Sequence, residues 1–273
     1  MRHETGTFTG RGGVTLFRQA WLPDTPPRAT LVNLHGLGDH SALYPMIAER
    51  FVPRGIAVKA FDLRGHGRSG GQRAWLRDWR DYRDDLHTFI EGVRGAEPLF
   101  LLGHSLGGLI VLEYALHHPE GLAGVIAAAP AVGEVGVPPL LMAAGRVLSR
   151  IWPRFSMTTG MDLDGLSRVP EAERAVLEDP LFHRVGTARL STEVPAAIER
   201  VQRGAASLAV PVLLLHGTAD RMVPPDGTRR LFSRLTLADR RLIEYAGGYH
   251  ALFADLDAER VLDDVARWIE ERL

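Results

Sequence analysis

Short, almost wholly apolar runs recur along the chain at residues 29–34, 57–61, 99–102, 124–129 and 210–215. A strand that is apolar on both sides has to be covered on both sides, which points to a buried parallel sheet. Most of these runs lead through a turn into a longer amphipathic stretch: 42–51, 78–93, 107–117, 227–235 and 258–273. That alternation predicts βα units, with a mostly parallel central sheet flanked by helices. Residues 241–245 read as a late strand, and residues 7–22 as an N-terminal hairpin turning at Gly12-Gly13.

One interval breaks the rhythm. Roughly 80 residues separate the strands at Gly124 and Val210, where a crossover normally needs 10–20. The interval holds helical patterns at 140–151, 170–177 and 194–204 and no strand pattern. The domain reading is a core of residues 1–132 and 206–273, with a helical cap, 133–205, inserted between two core strands.

Composition narrows the classes of function. Acidic and basic residues nearly balance, for a net charge of -1, so nothing favours nucleic acid as a partner. Cysteine is absent, which rules out disulfides and thiolate metal sites. No metal-ligand cluster or cofactor motif stands out. The first residues lack the apolar stretch of a signal peptide, and no run reaches the length of a membrane span. The expectation is a soluble, cytoplasmic protein.

The chemistry-bearing motif is Gly103-His104-Ser105-Leu106-Gly107-Gly108, after an apolar strand and before a helix. A serine between two glycines at a strand-to-helix turn is a nucleophile elbow. The tight turn lifts the serine hydroxyl above the sheet, and glycines on either side remove Cβ atoms that would clash there. The helix that begins at Leu106 directs its positive end toward a developing oxyanion. In elbow-bearing hydrolases the acid and then the histidine follow the nucleophile along the chain. His117 and His118 end a helix, His183 lies inside the inserted segment and His216 ends a strand, all positions that suit structural roles. His250 sits in the Gly-rich loop Ala246-Gly247-Gly248-Tyr249-His250 after the late strand, and is the candidate base. Asp220, in the loop after the strand at 210–215, is the candidate acid that orients it. Glu134, after the preceding strand, is the rival acid. The loop His35-Gly36-Leu37-Gly38-Asp39-His40 provides the Leu37 amide as one oxyanion donor, and Leu106 provides the other. Residues 61–69, Phe61-Asp62 through Arg68-Ser69, lack the Lys-Ser/Thr ending of a phosphate loop and read as a structural turn.

With these pieces in place the chain resembles the monoacylglycerol lipase and lysophospholipase group of the α/β-hydrolases. The matching residues are His35 through Ser41 with Tyr44, Phe61-Asp62 with Gly65 through Ser69, and Gly103 through Gly108. Leu166-Ser167-Arg168, Asp179-Pro180-Leu181, Gly217 through Asp220 and Tyr249-His250 complete the series, which spans nearly the whole chain. The resemblance implies the α/β-hydrolase fold with an inserted helical cap. It also implies cofactor-free hydrolysis of monoacylglycerols to fatty acid and glycerol by Ser105, Asp220 and His250. Leu106 stands where methionine is common, which changes the side chain and leaves the amide. Lysophospholipases, carboxylesterases, serine peptidases and acyltransferases share the same triad, so the pocket must decide among them. A non-catalytic binding relative is disfavoured, because all three triad residues are present.

Residues 140–152 pattern as a helix with an apolar stripe that includes Leu141 and Leu148, while Arg146 and Arg150 share another face. That stripe is the expected contact for an acyl chain, and for transient contact with lipid surfaces. If Ser105 is the nucleophile, Ser105→Ala lowers kcat by several orders of magnitude and leaves the fold intact. A fluorophosphonate probe then labels the wild type once, at Ser105. Full activity in the variant, or labelling elsewhere, removes the assignment.

Overall fold

Side chains alternate across a strand, so an apolar run places every second residue on each side of its sheet. The computed structural model describes residues 1–133, 139–160 and 163–273, the side chains of 139–142 excepted. Its strands are β1 (Arg2–Thr9), β2 (Thr15–Leu22), β3 (Ala29–Leu34), β4 (Ile56–Phe61), β5 (Leu99–His104), β6 (Gly124–Ala128), β7 (Ser156–Thr158), β8 (Val185–Thr187), β9 (Val212–Gly217) and β10 (Arg240–Tyr245). Eight of them form one sheet in the order β1-β2-β4-β3-β5-β6-β9-β10. The pairs from β4 to β10 are parallel; β1 with β2, and β2 with β4, are antiparallel.

The helices are α1 (Pro45–Phe51), α2 (Arg80–Val93), α3 (Leu106–His117), α4 (Pro139–Ile151), α5 (Pro170–Glu178), α6 (Leu190–Gly204), α7 (Asp226–Arg234) and α8 (Ala258–Glu270). Val32, Leu34, Leu99, Leu101, Val125 and Leu214 face one side of the sheet, under residues of α2, α3, α6 and α7. Leu31, Val58, Phe100, Leu102, Ile126 and Leu213 face the other, under α1 and α8. Each such side chain, fully buried, contributes roughly 1.5–3 kcal/mol. Among the described residues, no helix is long and apolar enough to cross a membrane.

The structure departs from expectation in two places. The N-terminal hairpin begins at Arg2 rather than residue 7, because β1 is an exposed edge strand with no apolar run to announce it. The interval between β6 and β9 does contain strands: β7 and β8 pair with each other, antiparallel. Each is three residues long, Ser-Met-Thr and Val-Gly-Thr, too short and too polar to stand out as a strand pattern.

Because β3, β5, β6, β9 and β10 run parallel, the loops leaving their carboxyl ends gather on one edge of the sheet. The loop after β4 braces that edge. Arg64, nearly buried, makes a two-pronged contact with Asp85 of α2, Nε to Oδ2 and Nη2 to Oδ1, both at 2.7 Å. Its Nη1 stands 3.1 Å from Asp81, and Nη2 also donates to the Arg11 carbonyl. Removing Asp85 takes away the two-pronged partner and leaves the buried guanidinium with Asp81 as its counter-charge. Asp85→Ala should lower the unfolding free energy by about 3–5 kcal/mol in urea titration. A loss below about 1 kcal/mol would mean that water replaces the carboxylate there.

Candidate active site

Ser105 occupies the turn between β5 and α3 with φ 54° and ψ −116°, a strained conformation for a residue bearing a Cβ. A Cβ on Gly103 would meet the Gly107 carbonyl oxygen at 2.3 Å, and one on Gly107 would meet that of Leu34 at 2.4 Å. Both glycines are therefore required by close backbone approach. The turn is held by the Ser105 amide donating to Ala128, and by the Ser105 carbonyl accepting from Leu109 and Ala131.

The loop after β3 lies against the elbow: a Cβ built on Gly36 would be 3.3 Å from the Ser105 Cβ. Leu37 and Leu106 therefore flank the serine from two sides, and no backbone carbonyl among the described residues accepts from either amide. His35 orders this loop, its Nδ1 donating to the Gly36 carbonyl and its Nε2 accepting from the Leu63 amide. Asp62 ties it from below, accepting from the amide and hydroxyl of Ser41 and from the Arg68 amide. The stretch 61–69 is thus a bracing turn.

Asp220 and His250, from the loops after β9 and β10, are brought together: His250 Nδ1 donates to Asp220 Oδ2 at 2.7 Å. Both are buried. Asp220 Oδ1 accepts the amides of Met222 and Val223, each at 2.9 Å. Burial alone would raise this carboxyl, but the charge of His250, hydrogen bonds from His216 and His250, and the Val223 amide hold it well below the usual carboxylate range. The rival acid Glu134 lies outside the described residues.

His104, the residue before the serine, joins the elbow to the histidine loop. Its ring packs 4.8 Å from that of His250, and its Nε2 donates to the His250 carbonyl at 3.1 Å. Tyr44 donates its hydroxyl proton to Asp39 at 2.7 Å, and its oxygen stands 2.9 Å from His104 Nδ1. Burial, then the charge of His250, lowers His104 to about 4. Asp39, Tyr44 and His104 also line a small cavity of about 50 Å³ closed by Leu166, Val176 and Phe253. Sequence reasoning assigned no chemistry to these three; the signal available was their place in motifs around the elbow and the loop after β3.

The stretch between β6 and β9 grips these loops through its main chain. The His183 amide donates to the Gly38 carbonyl, and the amides of His250 and Ala251 donate to the carbonyls of Gly165 and Leu166. Arg168 holds Asp255, which accepts the Tyr249 amide beside His250. His40 Nε2 stands 3.2 Å from Asp179. His183 packs 4.7 Å from the buried His66 and donates from Nε2 to the Gly65 carbonyl. Leu148 is half-buried on α4 and does not line the cavity; the Leu141 side chain lies outside the described residues.

The arrangement is that of a hydrolase: a serine raised on an elbow, with a carboxylate–histidine pair in the neighbouring loops. Residues 25–257 match the family model described as serine aminopeptidase, S33. The chain is 37% identical to the monoacylglycerol lipase of Mycolicibacterium smegmatis, over 98% of this chain and 97% of that one. It is 31% identical to the monoglyceride lipase of Homo sapiens, over 95% of this chain and 88% of that one. A crystal structure of the Paleococcus ferrophilus monoacylglycerol lipase superposes with a TM-score of 0.89 at 37% identity, covering 94% of this chain and 99% of that one. The chain belongs to the S33 serine aminopeptidase family of α/β-hydrolases, in the group that holds the monoacylglycerol lipases.

The buried histidines make stability depend on pH. His104 and His183 are both lowered from 6.5 to about 4, first by burial, then by His250 and by Arg73 respectively. Their folded pKa values lie below the unfolded ones, so at intermediate pH the unfolded chain binds more protons. Stability contributed by keeping them neutral is present above about 6.5 and drains away as pH falls toward about 4. The urea midpoint should decline across that window in wild type, and less steeply in His104→Gln. A midpoint flat from pH 7 to 4 contradicts this.

Proposed function

We propose that this protein is a serine esterase that cleaves monoacylglycerols to fatty acid and glycerol through an acyl-enzyme. The observation that carries the reading is the 2.7 Å contact of His250 with Asp220 beside the elbow at Ser105. In this reading His250 takes the Ser105 proton as the hydroxyl attacks the ester carbonyl, and Asp220 stabilises the resulting imidazolium. The amides of Leu37 and Leu106 hold the oxyanion. His250 then gives its proton to the departing glycerol and activates the water that releases the acid. Support for the substrate class comes from the relatives, two of which are named for monoacylglycerol or monoglyceride cleavage.

Residues 133–205 act in this reading as a cap over a core of 1–132 and 206–273. Along α4 and just beyond, Val147, Ile151 and Trp152 are 59%, 76% and 60% exposed, an apolar edge at an unusual density for a surface. Arg146 and Arg150, both exposed, accompany it. We assign to this edge a transient contact with lipid surfaces, and to Leu148 a place on the path of the acyl chain.

Initial rates on monoacylglycerols of increasing chain length test the reading. Each buried CH₂ contributes up to about 0.8 kcal/mol, so kcat/KM should climb by up to about fourfold per CH₂ until the acyl site is full. Leu148→Ser should flatten that climb. Ile151→Ser with Trp152→Ser should slow hydrolysis of substrate in vesicles and spare short soluble esters. Equal losses on all substrates would make α4 a structural lid. Proline arylamides cleaved faster than any ester would replace the esterase with a peptidase.

A further inference from the structure

Behind Asp220 lies a second histidine that the mechanism does not use. His216, at the end of β9, is fully buried. Its Nε2 stands 2.8 Å from the Val223 carbonyl oxygen and 3.3 Å from Asp220 Oδ2, the oxygen that also receives His250. Its Nδ1 is 2.8 Å from the hydroxyl of Thr228, a buried residue of α7. A carbonyl can only accept, so the Nε2 atom carries a proton. Nδ1 is then free to accept from the Thr228 hydroxyl. The N–H points chiefly at Val223 and reaches the carboxylate as its second acceptor. The amides of Met222 and Val223 on Oδ1 and His250 on Oδ2 hold Asp220, and the His216 N–H stands 3.3 Å from Oδ2 beside them.

We propose that His216 is a positioning residue that acts through Asp220, fixing the carboxylate toward His250 and tempering its negative charge. The inference rests on the assignment of Asp220 and His250 to the triad. Its chemistry follows from where the donor sits. A second N–H close to Oδ2 offsets part of the charge on the oxygen that faces His250, so removing that donor should alter the pH dependence of the reaction as well as the orientation of the carboxylate. Among the described residues, three further titratable or charged groups stand near His250. His104 packs on its ring, Asp39 stands 4.0 Å behind His104, and Arg221 lies over the neighbouring Tyr249.

His216→Leu removes the donor in a comparable volume. The acidic limb of kcat/KM against pH should move upward by about half a pH unit, with a fall in kcat of about tenfold as the carboxylate loses its fixed orientation. His216→Gln returns an N–H near the Nε2 position and should restore the limb to its wild-type place. A folded His216→Leu enzyme with an unshifted limb and full kcat overturns the proposal, as does a shift that glutamine fails to reverse. A measurement on the wild type holds even if the leucine variant does not fold. Imidazole ¹⁵N spectra at neutral pH should show His216 as the Nε2–H tautomer with Nδ1 accepting; an Nδ1–H tautomer overturns the proposal. Failure of the underlying assignment looks different, because Ser105→Ala and Asp220→Asn would then both keep near wild-type rates whatever His216 does.

Discussion

Ser105 sits in a left-handed conformation at the centre of the sheet, where β5 is paired on both sides, by β3 and by β6. A conformation of this kind costs on the order of 1–3 kcal/mol and persists only where its surroundings over-determine it. The surroundings do so in three ways. Its amide and carbonyl are both engaged, with Ala128 on one side and Leu109 and Ala131 on the other. Gly103 and Gly107 let β5, β3 and α3 approach to distances that a methyl group would forbid. Apolar cores on both faces then fix the strands that carry the turn. An edge strand such as β1, mostly exposed and paired on one side, could not hold such a geometry.

The loops around the elbow are stabilised by polar contacts with little net charge. His35, His66, His104 and His216 are all buried, and each engages at least one ring nitrogen with a nearby main-chain or side-chain group. A neutral imidazole supplies one donor and one acceptor and avoids the desolvation penalty of an ammonium or guanidinium. Where the protein does bury a guanidinium, at Arg64, it provides two carboxylates and a carbonyl for it. Asp62, Asp85, Asp220 and Asp255 each anchor a loop to its neighbour through amides or side chains.

The sheet was largely legible because a doubly covered strand must be apolar throughout: β3, β4, β5, β6 and β9 each emerged within two residues of their ends. The elbow was legible because its strain demands glycine at fixed offsets from Ser105. Asp220 and His250 emerged from chain order and loop position, and the structure does place them in contact. What escaped was whatever depends on long-range approach without apolar pattern. β7 and β8 are three residues each, so no periodicity marks them. His216 reads as a structural histidine at a strand end, and only the return of the 220–223 turn beneath it reveals a shared carboxylate oxygen. The Asp39, Tyr44 and His104 group is assembled from residues up to 65 positions apart, with no spacing rule to connect them.

The stretch between β6 and β9 holds Gly38, His250 and Ala251 by main-chain hydrogen bonds, from the His183 amide and to the carbonyls of Gly165 and Leu166. Bonds of that kind belong to the peptide group, whatever side chain is attached to it. Descendants of this chain could therefore exchange the side chains of that stretch while the loops around Ser105 keep their registration. What is free to vary and what has to stay are in this way carried by different atoms of the same residues.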